Sequence, residues 1–153
     1  MEIKTINAVE AYKILKSLKV NSLSDESAIN VWRTVKLLRP IAEEYNKERD
    51  EVIETLKDDK FNDMQERLAK AQERDVKVKN GEYTLTKKDI KDIREVNEYY
   101  ASFNSKLSKY FGEINNKLVD ININKIPGEE LIKVIKDEGK TFQDIETIDF
   151  LFD

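Results

Sequence analysis

The chain has no cysteine and no histidine among its 153 residues. Without cysteine there is no disulfide, thiolate zinc site, iron–sulfur cluster or thiol nucleophile. Without histidine the usual general base and the commonest metal ligand are missing, and a Ser-His-Asp triad is excluded. Glycine (4) and proline (2) are scarce, which argues against long irregular loops. Neither G-x-x-x-x-G-K-[ST] nor G-x-G-x-x-G occurs, so the usual phosphate cradles are absent. No stretch approaches the roughly 18 apolar residues of a membrane span. The opening Met1-Glu2-Ile3-Lys4-Thr5-Ile6 has neither a basic n-region nor an apolar h-region, so no secretory signal is expected.

Charged residues make up 38% of the chain and hydrophobic ones 39%. That balance is too apolar for disorder and too charged for an enzyme core wrapped in loops; it suits long helices laced with solvent. The length fits one domain over residues 1–153 with a core of its own. Net charge is −4, from 27 basic and 31 acidic residues. The signs are interleaved: residues 61–100 hold nine of each, so no basic stripe tracks a phosphate backbone and direct nucleic-acid binding is not expected. From Thr141 onward come Asp144, Glu146, Asp149 and Asp153 with no lysine or arginine. Such an end is either a solvated face or an acidic surface for a basic partner.

Along the chain, residues 2–6 read as a short strand. Asn7-Ala8-Val9-Glu10 reads as a capping box opening a helix to about Lys19, with Val9, Tyr12, Leu15 and Leu18 as its apolar stripe. Ser24 caps the next helix, with Asp25 and Glu26 in its first turn. Ala28, Trp32, Val35, Leu38, Ala42, Tyr45, Val52 and Leu56 then recur at steps of three and four, with Arg49 interrupting once, a seam of coiled-coil type. Pro40 lies inside it and predicts a kink rather than a break, because the pattern keeps its phase. At Lys57-Asp58-Asp59-Lys60 the helix either pauses or continues; Phe61, Met64, Leu68 and Ala71 resume helical spacing up to about residue 75.

Val76 and Val78 alternate with lysines before Asn80-Gly81, and Tyr83 and Leu85 follow. Asn-Gly is the favoured two-residue hairpin turn, so a β-hairpin is expected over 76–85. Thr86-Lys87-Lys88-Asp89 caps a second long helix over 87–118, lined by Ile90, Ile93, Val96, Tyr100, Phe103, Leu107, Tyr110 (or Phe111), Ile114 and Leu118. Each long helix reaches about 50 Å at 1.5 Å per residue. Residues 119–126 alternate as a half-buried strand, pairing with residues 2–6 or with the hairpin. Pro127 opens a short helix over 128–136 with Leu131, Ile132 and Ile135 inward, Gly139 closes it, and Thr141 caps a last one. The expected fold is mostly-α α+β: a long antiparallel helical pair, a helical hairpin or coiled-coil-like arrangement, with a small β-hairpin or strand element and short C-terminal helices over about 128–152.

Carboxylates are the only plentiful reactive groups. Glu44, Glu48 and Glu51 share a helix face, as do Asp89, Asp92 and Glu95, but a di-metal bundle also wants Glu-x-x-His. Asp58, Asp59 and Asp63 lack the order of a calcium loop. Arg33, Arg39, Arg67 and Arg74 either form a phosphate site or, given the acids around them, surface ion pairs. Tyr99, Tyr100, Phe103, Tyr110 and Phe111 crowd one helix as core or as an exposed edge for a protein partner. No enzyme activity, cofactor or metal is expected.

The segments Arg39-Pro40-Ile41-Ala42-Glu43-Glu44-Tyr45-Asn46-Lys47-Glu48-Arg49 and Val-Asp-Ile-Asn-Ile-Asn-Lys-Ile-Pro-Gly-Glu-Glu-Leu (119–131), with the Ile148-Asp149-Phe150-Leu151 ending and the Ile-Lys-x-x-Asn-Ala opening, resemble small helical proteins of tailed bacteriophages and prophages. The likeness spans most of the chain and carries no functional residue. It implies a protein of the virion or of the host bacterial cytoplasm, with a role in particle assembly or in managing the host. The expectation is a non-enzymatic protein acting through contacts with a phage structural protein, in virion assembly or as a minor virion component. Trp32, Tyr100, Phe103 and Tyr110 are the candidate anchors. The alternative is an acidic inhibitor of a host nucleic-acid-binding defence protein, using Glu44, Glu48, Glu51, Asp144, Glu146 and Asp149. No membrane contact is expected. The long seams could pair within one chain or between copies, so a homo-oligomer stays open.

Overall fold

The computed structural model describes residues 1–153. In chain order the elements are β1 (Glu2–Lys4), α1 (Thr5–Lys16), α2 (Asp25–Leu56), α3 (Phe61–Lys79), α4 (Lys87–Asn116), β2 (Leu118–Asp120), α5 (Gly128–Asp137) and α6 (Phe142–Thr147). Short 3-10 turns lie at Val20–Ser22 and Asp149–Leu151. The chain is mostly helical with one two-stranded antiparallel sheet. It divides into two compact units, Met1–Arg49 with Gly112–Asp153, and Asp50–Phe111.

In the first unit β1 pairs with β2 in the register Ile3↔Val119. Of the two pairings open to the 119–126 region, the one with the N-terminal segment is present, but the ladder spans only Glu2–Lys4 and Leu118–Asp120. At Thr5 the chain turns straight into α1, and the Thr5 amide and hydroxyl both donate to the Lys117 carbonyl, each at 2.8 Å. That tertiary partner satisfies an amide at the helix start, so α1 begins two residues before Asn7 and without a side-chain cap. The Asn7 capping box is therefore not formed. Beyond β2 the alternation persists in burial rather than in pairing at Ile121 (buried) and Ile123 (half-buried) and then breaks: Ile126 is buried out of phase and forms an isolated bridge with Phe152.

The main core gathers Ala8, Ala11 and Leu15 of α1, Val31 and Leu38 of α2, Ile126, Leu131 and Ile135 around α5, and Ile148 and Leu151 at the end. A smaller cluster of Val9, Ala42 and Tyr45 packs with Ile114. The α2 helix runs unbroken through Pro40. Its buried line is Ser27, Asn30, Val31, Thr34, Leu38, Ala42 and Tyr45, one step off the apolar seam in its first half. Trp32 is thereby turned out. The polar residues are tolerated inside because they are satisfied: the Thr34 hydroxyl donates to the Asn30 carbonyl at 2.8 Å, and no buried side-chain polar atom lacks a partner. Ser24 caps α2 as expected, its Oγ accepting from the Ser27 amide at 3.3 Å. Glu130 accepts from the Ser24 amide at 3.0 Å, which holds its carboxyl below the usual range and ties the start of α2 to the start of α5.

In the second unit α3 and α4 run antiparallel: Phe61 meets Phe103, Arg67 meets Asp92, and Arg74 meets Asp89. The expected β-hairpin over 76–85 does not exist, because α3 continues through Lys79. Asn80-Gly81 ends that helix instead. Gly81 has φ +73°, its amide donates to the Val78 carbonyl at 3.0 Å, and the Glu82 amide reaches back to Lys77 at 2.8 Å. These are the two bonds of a Schellman cap. The positive φ that favours Asn-Gly in a hairpin serves equally at a helix end. Gly139 (φ +69°) closes α5 in the same way. The Thr86 and Thr141 caps form as expected, each reciprocated by an aspartate three residues on.

Leu38 has no exposed surface and belongs to the main core. Leu38→Ala should lower unfolding free energy by about 2–5 kcal/mol, read as a lower urea midpoint with an unchanged slope.

Candidate docking surfaces

On α2, the phase that buries Val31, Thr34 and Leu38 puts Ile29, Trp32, Arg33, Lys36 and Leu37 on the outer side. Their i, i+3, i+4, i+7, i+8 spacing defines a single helix face. Ile29 and Trp32 are 48% and 60% exposed. The Lys36 ammonium sits 5.2 Å from the centre of the Trp32 ring, a cation–π contact that holds the indole at the surface.

Beside this face the segment after β2 lies against α2. Glu26, Ile29, Asn30 and Arg33 of the helix and Ile123, Asn124 and Lys125 of the segment line an open groove of about 730 Å³. A smaller hollow of about 190 Å³ continues it between Arg33, Thr34, Leu37 and Asn122–Asn124. The Asn124 amide donates to Asn30 Oδ1 at 3.4 Å across the groove, and Lys125 Nζ is held by the Phe150 carbonyl at 2.6 Å. The groove therefore has tethered walls, an apolar floor contribution from Ile29 and Ile123, and the Arg33 cation at the junction of its two parts.

The second unit carries a different arrangement. Arg67 Nε donates to Asp92 at 2.7 Å and its Nη2 to Glu95 at 2.6 Å, and these carboxylates, Glu95 foremost, raise the guanidinium pKa. Arg74 lies 3.4 Å from Asp89 and 3.5 Å from Asp92. Tyr83 Oη donates to Asp89 at 2.6 Å, and the Thr86 amide donates to it at 2.9 Å. The Tyr83 bond first, then the Thr86 bonds and the Arg74 charge, bring the Asp89 carboxyl down to about 2. An acid of that strength stays ionised near neutral pH and is a feeble base. The ladder is a clamp between α3 and α4, and it settles the Arg67 and Arg74 alternatives in favour of ion pairs.

The expected anchors divide between the units. Trp32 belongs to the first, and Tyr100, Phe103 and Tyr110 to the second. Phe103 is half-buried against Phe61 (5.5 Å) and Tyr99 (6.4 Å), and Tyr100 meets Tyr99 edge-on at 5.5 Å. Tyr110 is exposed. Burial, followed by the hydrogen bond from Tyr99 to Asp58, pushes the Tyr99 phenol up to about 12. Among the expected acidic residues, Glu48 accepts from Lys117 Nζ at 3.1 Å and Asp144 is committed to the Thr141 cap. Glu44, Glu51, Glu146 and Asp149 are exposed. No group of three acidic residues converges to hold a metal ion.

Sequence reasoning missed that Ile29, Arg33 and Leu37 share the outer face of α2 with Trp32, and that Ile123 lines the groove beside that face. The signal was there, in the spacing of 29, 32, 33, 36 and 37, but the competing seam through Ala28 and Val35 claimed the same stretch. Comparison with protein-family models, curated proteins and solved structures gives no match.

Because the folded pKa of Asp89 lies below its ordinary value, its contribution is complete above about pH 4 and is lost as pH falls toward 2. Asp89→Asn should therefore lower stability at pH 7 and flatten the acid limb of the stability curve between about pH 4 and 2. Urea unfolding at a series of pH values, followed by circular dichroism, checks both.

Proposed function

We propose that this chain is a non-enzymatic protein-binding component of a tailed phage, acting in virion assembly or as a minor virion component, with the outer face of α2 as its docking surface. The observation that carries this reading is the exposed Ile29–Trp32–Leu37 stripe beside a tethered groove. A folded chain loses stabilisation by leaving a large indole in water, and contiguous exposed apolar surface marks interaction sites. Tryptophan and arginine are the residue types most enriched where binding energy concentrates. Arg33 and Lys36 beside the indole favour a partner segment whose apolar residues are flanked by carboxylates. The phage setting rests on the resemblance of residues 39–49 and 119–131. The reading as an acidic inhibitor is weaker, since Glu48 and Asp144 are engaged within the fold.

The test is capture by the tagged chain from phage-infected cells, followed by titration of the purified partner. Trp32→Ala should weaken that partner by about 2 kcal/mol or more, roughly thirtyfold, with the helical circular dichroism unchanged. Binding should survive added salt, as expected of an apolar clamp. A partner held equally by Trp32→Ala, or released by moderate salt, contradicts the reading.

A further inference from the structure

Asn30 is only 8% exposed, and it lines the groove beside α2. Its Oδ1 accepts from Asn124 at 3.4 Å, but its Nδ2 has no acceptor within the fold. No fully buried side-chain polar atom goes without a partner, so this amide opens to the groove that the residue lines. A donor so nearly desolvated costs stability until an acceptor reaches it. Arg33, one turn on, is exposed and is engaged by no carboxylate of the fold. It borders both parts of the groove. Residues i and i+3 of a helix are neighbours, so the Arg33 guanidinium and the Asn30 amide offer donors at one place.

The charged groups lining the groove are Glu26, Arg33 and Lys125, two cations against one carboxylate. Glu26 and Lys125 line only the wider part, and the narrower part has Arg33 alone. Lys125 donates to the Phe150 carbonyl, which leaves its charge in place. Glu26 stands two turns before Arg33, about 10 Å along the axis, so it disfavours an acid at its own end and not at Arg33. The helix neighbours of Arg33 at three and four residues are Ile29, Asn30, Lys36 and Leu37, none of them acidic. With Ile29, Leu37 and Ile123 in the lining and one acid in the wall, the groove is a poor track for a phosphate backbone, which wants a run of cations.

On the reading of α2 as a docking face, on which this rests, we infer that the groove takes a partner peptide through one internal Asp or Glu, its carboxylate seated between the Arg33 guanidinium and Asn30 Nδ2. Aliphatic neighbours of that acid lie on Ile29 and Ile123. The groove continues past Arg33 on both sides, so the peptide runs through and the acid is a side chain rather than a chain terminus. A single ion pair beside apolar contacts keeps the binding largely resistant to salt.

A displayed library of random linear peptides, selected on the purified chain, tests it. Selected peptides should carry an Asp or Glu flanked by aliphatic residues. Exchanging that acid for its amide should weaken binding at least about tenfold, as loss of a charge-assisted hydrogen bond does. Arg33→Gln should cost the acidic peptide a similar factor and leave its amide analogue unchanged. Asn30→Asp keeps the acceptor for Asn124 and turns the donor into a carboxylate, so it should reverse the preference in favour of the amide peptide. Trp32→Ala should weaken both peptides alike, which reports on the docking face apart from the acid. Peptides that need Trp32 yet bind equally as acid and amide overturn the carboxylate site and leave the α2 face standing. Acid-dependent peptides that ignore Trp32→Ala support the carboxylate site and count against Trp32 as the anchor. A selection that yields no peptide, or Arg33-dependent binding of single-stranded DNA in place of peptides, overturns the inference.

Discussion

The rotation of α2 about its own axis is the constraint on which the first unit depends. Two phases compete. One buries the most apolar line, through Ala28, Trp32 and Val35. The other buries Val31, Thr34 and Leu38 and leaves Trp32 in water. The second is the one adopted, and the reason is local. Small side chains let neighbouring elements come close, and the Thr34 hydroxyl is satisfied within its own helix by the Asn30 carbonyl, so its burial leaves no orphaned group. Glu130, gripping the Ser24 amide and hydroxyl, fixes the same phase from outside. Exposure of Ile29, Trp32 and Leu37 follows directly.

The second unit is held by a different balance. Its only buried residues are Asp89 and Val96, so hydrophobic burial does less there than in the first unit. Aromatic contacts at Phe61, Tyr99 and Phe103 and the charge ladder from Arg67 to Tyr83 take up the difference. A clamp of this kind fixes the register of α3 against α4, since a shift by one turn would leave carboxylates unpaired in a partly desolvated strip. It also uses up the most perturbed carboxylate of the chain for architecture.

Much of this was legible in the residues. Thr86-x-x-Asp89 and Thr141-x-x-Asp144 announced their helices because a cap is a local event that needs no tertiary partner. Strict alternation over 119–126 marks a strand but leaves its partner open between residues 2–6 and a hairpin; the ladder that forms is the first of these, and only over Glu2–Lys4 and Leu118–Asp120. Two of the failures share one cause, which is that polar residues stand where apolar counting looks for contacts. In α3, Arg67 and Arg74 face α4 where a seam residue would be expected, so the apolar period fades after residue 75 and Asn80-Gly81 reads as a hairpin turn. In α2, Thr34 and Ser27 hid the true inner face. At Asn7 the local cap signal lost to a tertiary one, the Lys117 carbonyl.

The phase of α2 can be measured with the single tryptophan of the chain as its reporter. Acrylamide quenching of Trp32 emission in the free, folded protein should proceed at a rate close to that of an open indole, with emission at long wavelength. Shielded, short-wavelength emission that quenches only on unfolding would place Trp32 in the core, and would contradict both the phase of α2 and the docking surface built on it.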